Sequence, residues 1–352
     1  MSIRVGLIGF GLSGRVFHAP FVVNDPEMTL AYVCSSKVDE VRALFPEASV
    51  VSSAEAVFAA SDVDLVVITT PNALHFDQAK QALENGKHVL LEKPSVTKLS
   101  QIEALCTLAK QKDLVFCVYQ NRRFDGDFLR LKALIKSGEL GELKHLDSRF
   151  DRFRPTAQAR WREEPGVGTG IFWDLGPHIV DQTLCLFGPP KWLHASIDKL
   201  RDGSQTHDWF ELELGYDDKR VRLASTPFEA GEMRRFNARF TQGSWQCVGL
   251  DPQEEALRAG QMPWQDGFPS KAAQQRNTRF VAHSQDTIEA IQEASTQGEY
   301  AAFYGQLRDA ILGKGASPVP MEQACQLIYL LCLAEQSAES GQRMSWSYTP
   351  NL

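Results

Sequence analysis

The chain has 352 residues, a length that favours two domains. Its formal net charge is −7, whereas a nucleic-acid-binding surface would need a basic patch. The longest apolar run, Leu327 to Ala334, is too short to span a bilayer, so neither nucleic acid nor membrane is expected as a partner. The cysteines are scattered and form no C-x-x-C pair, which reads as reduced thiols in a cytoplasmic protein without a metal site.

Arg4 to Ile8 reads as a short apolar strand that runs straight into Gly9-Phe10-Gly11-Leu12-Ser13-Gly14. This G-x-G-x-x-G follows a strand, opens a helical pattern over Arg15–Val23 and starts a β-α series, the context in which such a loop cradles a dinucleotide. The first glycine suits a tight turn, the second admits the pyrophosphate, and the third allows close helix–strand packing. The helix start adds free N–H groups for the phosphates. The next strand, Leu30–Cys34, ends in Ser35-Ser36-Lys37. An acidic residue there would take the ribose hydroxyls of NAD, while hydroxyls and an ammonium suit a 2′-phosphate. NADP(H) is therefore expected over NAD(H), the alternative being a solvated loop.

Helical patterns over Val38–Leu44 and Ala54–Ala59 precede the strand Leu65–Thr69. It leads into Thr70-Pro71-Asn72-Ala73-Leu74-His75, a loop expected beneath the cofactor, with Asn72 also a candidate N-cap. A helical pattern over Phe76–Glu84, closed by Asn85-Gly86, brings the chain to the strand His88–Leu91 and then Glu92-Lys93-Pro94. In a doubly wound sheet ligands bind outside the carboxyl ends of the strands, so Lys93 and the glycine loop point at one crevice. The helical pattern Leu99–Lys110 and the strand Leu114–Val118 complete a β-α repetition, which implies a parallel sheet with right-handed crossovers.

From about residue 140, with Gly141 read as a helix breaker, the texture changes. Strand patterns cover Leu143–Phe153, Trp192–Leu200, Phe210–Tyr216, Arg220–Ser225, Arg234–Phe240 and Trp245–Val248. Alternation such as Phe210-Glu211-Leu212-Glu213-Leu214 argues for an antiparallel sheet with one covered face. Residues 298–312 and 321–337 read as closing helices, and 250–285 are polar and irregular, with no assignment. The fold expected is α/β, with an N-terminal Rossmann doubly wound parallel sheet over 1–121 and a C-terminal α/β domain over 122–352. The second domain should carry a large open, mainly antiparallel sheet.

The second half of a reaction centre is Gly170-Ile171-Phe172-Trp173-Asp174-Leu175-Gly176-Pro177-His178. Pro177 fits the first turn of a helix, since proline lacks a donor and clashes with a preceding turn. Asp174 then falls near the cap. Asp174 and His178 are four apart and share one face, so the carboxylate can hold the imidazole. The alternative is a capping carboxylate and a satisfied core histidine.

Taken together, the N-terminal fingerprint, Glu92-Lys93-Pro94 and the Gly170, Asp174, His178 spacing resemble the glucose–fructose oxidoreductase/inositol dehydrogenase/MocA family over essentially the whole length. The resemblance implies that Lys93 and His178 contact the reacting oxygen with Asp174 assisting. It also implies a cis Lys93–Pro94 peptide and a homo-oligomer built through the second sheet. Phe150 to Pro155 and Arg160-Trp161-Arg162-Glu163 look like a subgroup that includes NADP-dependent scyllo-inositol dehydrogenases. In that likeness Trp161 and Arg162 touch the cofactor, and Asn121 and Arg122 lie near the nicotinamide and substrate. Arg152 and Arg154 are either pocket residues or one face of a strand.

The resulting expectation is hydride transfer between NADP(H) and a carbinol or carbonyl carbon of a sugar or cyclitol. Cofactor contacts are expected from Gly9 to Gly14, Ser35 to Lys37, Thr70 to Asn72, His75, Glu92, Lys93, Asn121, Trp161 and Arg162. Substrate contacts are expected from Arg122, Arg152 and Arg154. The alternatives are a reductase of a dicarbonyl or anhydro sugar, an NAD-dependent glycoside hydrolase of the same fold, and a cofactor-sensing protein without catalysis. The Ser-Ser-Lys loop argues against the hydrolase, and the intact Lys93, Asp174 and His178 argue against the sensor.

Overall fold

A computed structural model describes residues 2–158, 163–269 and 275–352. Strands β1 (Ile3–Ile8), β2 (Met28–Cys34), β3 (Ser49–Val51), β4 (Leu65–Ile68), β5 (His88–Leu91) and β6 (Phe116–Val118) form a parallel sheet in the order β3-β2-β1-β4-β5-β6. Its strands are nearly continuous apolar runs because both faces are covered. One face packs with helices α3 (Ala54–Ala59), α4 (His75–Glu84) and α5 (Leu99–Gln111). The other packs with α1 (Ala19–Asn24), α2 (Val38–Leu44) and the distant α9 (Tyr300–Ile311).

The register of this sheet positions the site. Ile8 pairs with Cys34 and with Ile68, Ile68 with Leu91, and Leu91 with Val118. The strands therefore end level, and the residues that follow stand along one edge: Gly9, Ser35, Thr69, Glu92 and Tyr119. The order reverses between β1 and β4, the crevice where such sheets bind ligands.

Among the described residues the second sheet has nine strands: β7 (Leu143–Arg149), β8 (Trp192–Asp198), β9 (Trp209–Gly215), β10 (Arg220–Ser225), β11 (Arg234–Phe240), β12 (Gly243–Val248), β13 (Arg276–Ala282), β14 (Ile288–Glu293) and β15 (Met344–Ser345). All neighbours are antiparallel except β7 and β10. One face buries Leu146, Leu193, Leu212, Leu214, Val221, Leu223 and Ala238 beneath α7 (Ile171–Phe187) and α10 (Met321–Ser340). The other is laced by Arg222–Glu211 at 2.7 Å and Arg239–Asp147 at 2.8 Å. No helix among the described residues is long and apolar enough to cross a membrane.

Several boundaries differ from expectation. The helix after the glycine loop is not uniform, because Gly14–His18 is a π-helical turn ahead of α1. Helix α6 (Gly126–Ser137) is an element beyond those expected, and its buried Phe128, Leu131 and Leu134 carry a helical period. Gly138, at φ +67°, closes α6, while Gly141 belongs to the turn before β7. Residues 250–285 hold α8 (Gln253–Arg258) and β13. Helix α7 begins earlier than Pro177 requires: Gly170 is its N-cap, Asp174 lies in the first turn and Pro177 is interior.

Candidate active site

The glycine loop follows the physical division of labour expected of it. Gly9 has φ +94°, and a Cβ there would come within 2.8 Å of Thr69 Oγ1. Thr69 Oγ1 also donates to the Gly9 carbonyl at 2.9 Å, fixing the turn. A Cβ on Gly14 would drive into the Gly9 carbonyl, whereas one on Gly11 would meet nothing within 4 Å. Close packing thus binds the first and third glycines, and the second leaves an open approach where a pyrophosphate can lie against backbone. Phe10 contributes only its backbone to this surface, because its ring is buried against Phe45 at 6.1 Å. Leu12 is exposed.

Glu92, at the end of β5, ties the loop to the sheet. One carboxylate oxygen accepts from Ser13 Oγ and from His18 Nε2 at 3.0 Å, and the other accepts from the Lys93 backbone N–H at 2.8 Å. Burial works to raise the Glu92 carboxyl, but the hydrogen bond and charge of His18, with Lys93 and Ser13, outweigh it and hold it at about 2. His18 is itself fully buried, and its Nδ1 meets the Tyr304 hydroxyl at 2.9 Å. The Tyr304 hydroxyl donates its proton to the Phe17 carbonyl at 2.8 Å, as Tyr119 does at 3.0 Å. Glu92 is therefore the hub of a network joining β5, the glycine loop and α9. His18, Tyr119 and Tyr304 were not singled out from the sequence, and Tyr304 comes far too late in the chain for a local motif to reveal it.

The loop after β4 is held by its own side chains. Asn72 is not an N-cap; its amide donates to the Gly168 carbonyl at 3.0 Å, binding this loop to the segment before α7. Pro71 is exposed and Thr70 donates to Gln78 at 2.6 Å. His75 is buried, with Nε2 on the Thr70 carbonyl at 2.8 Å and Nδ1 on the Pro94 carbonyl at 2.9 Å. Its ring is a strut between two loops, so any part it has in cofactor binding comes through their placement.

The peptide Lys93–Pro94 is cis. Lys93 reaches across to α7, where Nζ donates to the Asp174 carbonyl at 3.0 Å and to Asp174 Oδ1 at 3.2 Å. Asp174, expected to hold the imidazole, engages the lysine with both its backbone and its carboxylate. Pro177 supplies no N–H to the Trp173 carbonyl and crowds the preceding turn; the neighbouring Asp174 carbonyl takes the ammonium. His178 is buried one turn beyond Asp174, on the same helix face. The edge of the parallel sheet and the first two turns of α7 are thereby joined into one site.

At the end of β6, Asn121 is buried and the Arg122 guanidinium is committed to Asp125 at 3.2 Å and to Glu254. Burial would lower the Arg122 pKa, but Glu254 and Asp125 raise it well above the ordinary value. With both ends of its fork engaged, Arg122 is a buried cross-link between the end of β6 and α8. Beside it, Gln120 is 1% exposed, and neither end of its amide has a hydrogen-bond partner among the described residues. That orphaned amide, at the carboxyl edge of the sheet, fits a polar ligand such as a dinucleotide and was missed from the sequence. Arg152 and Arg154 alternate with exposed Phe153, and their backbones bond to Thr226 at 3.0 Å and Pro227 at 2.8 Å. Burial lowers the Arg152 pKa, and the field of Asp174 acts against it. Trp161 and Arg162 lie outside the described residues. Ser35 accepts from the Lys37 backbone N–H at 3.0 Å, and Ser36 and Lys37 are exposed at the end of β2.

Residues 3–120 match the oxidoreductase family with an NAD-binding Rossmann fold, and residues 128–246 match the GFO/IDH/MocA C-terminal domain. The chain belongs to the GFO/IDH/MocA oxidoreductase family. It is 42% identical to the uncharacterized oxidoreductase YdgJ of Escherichia coli, covering 96% of this chain and 97% of that one. It is 34% identical to the scyllo-inositol 2-dehydrogenase (NADP(+)) IolW of Bacillus subtilis, covering 96% and 94%. Among solved structures, the oxidoreductase YvaA of Bacillus subtilis superposes with TM-score 0.94 at 33% identity, covering 98% of this chain and 99% of that one. An oxidoreductase of Yersinia pestis gives TM-score 0.93 at 39% identity, covering 99% and 98%. This family member is therefore an oxidoreductase with an NAD(P)-binding fold.

Proposed function

We propose that the enzyme oxidises a CH–OH group of a cyclitol or sugar, and reduces the corresponding carbonyl, with NADP(H) as cofactor. The observation that carries the reading is the Lys93–Asp174 contact, 3.2 Å between side chains. It sets an ammonium from the nucleotide-binding edge against the helix that carries His178. The bound nicotinamide supplies the hydride acceptor in oxidation and the hydride donor in reduction. Lys93 donates a hydrogen bond to the reacting oxygen and stabilises negative charge as it develops there. His178 takes the hydroxyl proton as the C–H electron pair leaves and the C=O bond forms, and returns it in reduction. Asp174 holds the ammonium in position. Ser35, Ser36 and Lys37, with no carboxylate immediately after β2, support the NADP(H) preference. The likeness to IolW, whose name carries NADP(+) and scyllo-inositol, supports both the cofactor and the cyclitol class.

Absorbance at 340 nm tests this, with NADP⁺ and NAD⁺ in parallel against inositols, aldoses and anhydro sugars. Turnover of a cyclitol with NADP⁺ is the expected result. Silence with both oxidised cofactors, together with NADPH consumption on a dicarbonyl or anhydro sugar, would replace it with the reductase reading. A homo-oligomer through the open face of the second sheet is expected as well. Light scattering that returned the monomer mass at assay concentrations would remove that part.

A further inference from the structure

Two cations and one carboxylate meet where β2 ends, and of the three only Lys37 enters the NADP(H) reading above. Arg15 follows the last glycine of the fingerprint, and Lys37 and Glu40 lie at the start of α2. Arg15 Nη1 donates to Glu40 Oε1 at 2.8 Å, and Lys37 Nζ meets Glu40 Oε2 at 3.0 Å. The carboxylate thus divides its two oxygens between cations delivered by two separate elements. The sheet register explains why they converge: Ile8 pairs with Cys34, and the Gly9 N–H donates to the Cys34 carbonyl at 3.1 Å. The Arg15 and Lys37 side chains are 43% and 51% exposed, which leaves them free to reorient.

In this fold the adenosine ribose lies at the end of the second strand, so whatever sits on its 2′ position faces this group. A phosphate monoester there carries a charge of about −1.5 to −2 and three acceptor oxygens, which suit an arginine fork and an ammonium better than one carboxylate does. Exposed ion pairs hold weakly, so Glu40 can be displaced. We propose that Arg15 and Lys37 form a two-cation seat for the 2′-phosphate of NADP(H), and that Glu40 is an internal competitor for that seat which limits discrimination against NAD(H). The inference rests on the NADP(H) reading and names the residues that set its strength. Lysine and arginine together hold the Glu40 carboxyl below its usual range, as expected of an anion already seated between them. With a 2′-phosphate present, Glu40 must swing away, and its remaining charge opposes the phosphate. With a 2′-hydroxyl, it keeps its partners.

Calorimetric titration of the full chain with 2′,5′-ADP and with 5′-ADP tests this without turnover. The wild type is expected to bind 2′,5′-ADP more tightly. Arg15→Met should weaken 2′,5′-ADP about tenfold, the loss of roughly one charge-assisted hydrogen bond, and leave 5′-ADP within about twofold. Glu40→Gln should strengthen 2′,5′-ADP about threefold or more, with 5′-ADP again unchanged. Both side chains are exposed, so melting temperatures should match the wild type. A wild type that prefers 2′,5′-ADP, with variants that retain its affinities, would overturn this seat and leave the NADP(H) reading standing. A wild type with no preference would remove both.

Discussion

Lys93→Met and His178→Ala should each lower kcat by about 10²–10⁴-fold, or about 3–5 kcal/mol of barrier, and leave NADPH affinity within a few-fold. Methionine keeps most of the lysine's length and loses the cation. What disappears is the donor proposed for the reacting oxygen and the contact with Asp174 at 3.0 and 3.2 Å. The backbone N–H of Lys93, which serves Glu92, is untouched, so the glycine loop should hold its shape and bind dinucleotide. Alanine at 178 removes the proposed proton acceptor from the interior of α7, a helix anchored along its length by Phe172, Leu175, Ile179 and Val180. If both groups serve one transition state, the double variant should lose much less than the product of the single losses. Asp174→Asn provides the finer test. It keeps the carbonyl contact to Lys93 but weakens the side-chain one, so it should shift the pH profile of kcat more than it lowers the maximum. Rapid turnover in both single variants, measured beside NADPH fluorescence titrations and melting curves, would end the assignment of this pair.

How much of this site could be read from the sequence depends on whether its parts are local. The glycine loop is local: strand, turn and helix lie within about twenty residues, and the steric demands on Gly9 and Gly14 come from the loop and its immediate neighbour Thr69. Lys93 was legible because it ends an apolar strand, and the register that levels the strand ends brings it to the glycine loop. A first-turn position for Pro177 puts the start of α7 too late. The helix instead begins at Ile171, whose N–H bonds to the His207 carbonyl at 2.7 Å, and carries the proline inside. Strands β13 and β14 were invisible for a different reason. Sequences such as Ile288–Glu293 are exposed on most positions, so no apolar alternation marks them, and only pairing with β12 reveals β13. The partner of Arg122, Glu254, lies far along the chain. Such long-range pairings require the fold, and no single sequence prints them.

Glu92→Gln should destabilise the protein near neutral pH by up to about 3 kcal/mol, and the deficit should vanish in acid. The carboxyl of Glu92 sits at about 2 in the folded chain against an ordinary 4.5. A carboxylate depressed in this way contributes stability that is fully present above the unfolded value, about 4.5, and is lost as pH falls through the folded value, about 2. Glutamine matches the shape but cannot match the chemistry. Both oxygens of Glu92 accept from donors, namely Ser13 and His18 on one side and the Lys93 N–H on the other. An amide must turn its NH₂ toward one of these: toward the Lys93 N–H it faces a fixed donor, and toward Ser13 and His18 it makes both give up donating to this position. Burial also pushes the Asp125 and Asp127 carboxyls upward, against the pull of Arg122 and Arg235 respectively. Those groups are common to wild type and variant, so the difference in melting temperature cancels them and isolates Glu92. That difference should be large at pH 7 and shrink steadily between about pH 4.5 and 2. Because Ser13 belongs to the glycine loop, the variant should also bind dinucleotide more weakly at neutral pH, a loss that Lys93→Met does not share. A melting difference that stayed constant from pH 7 down to pH 3 would mean that the hub does not depend on an ionised Glu92.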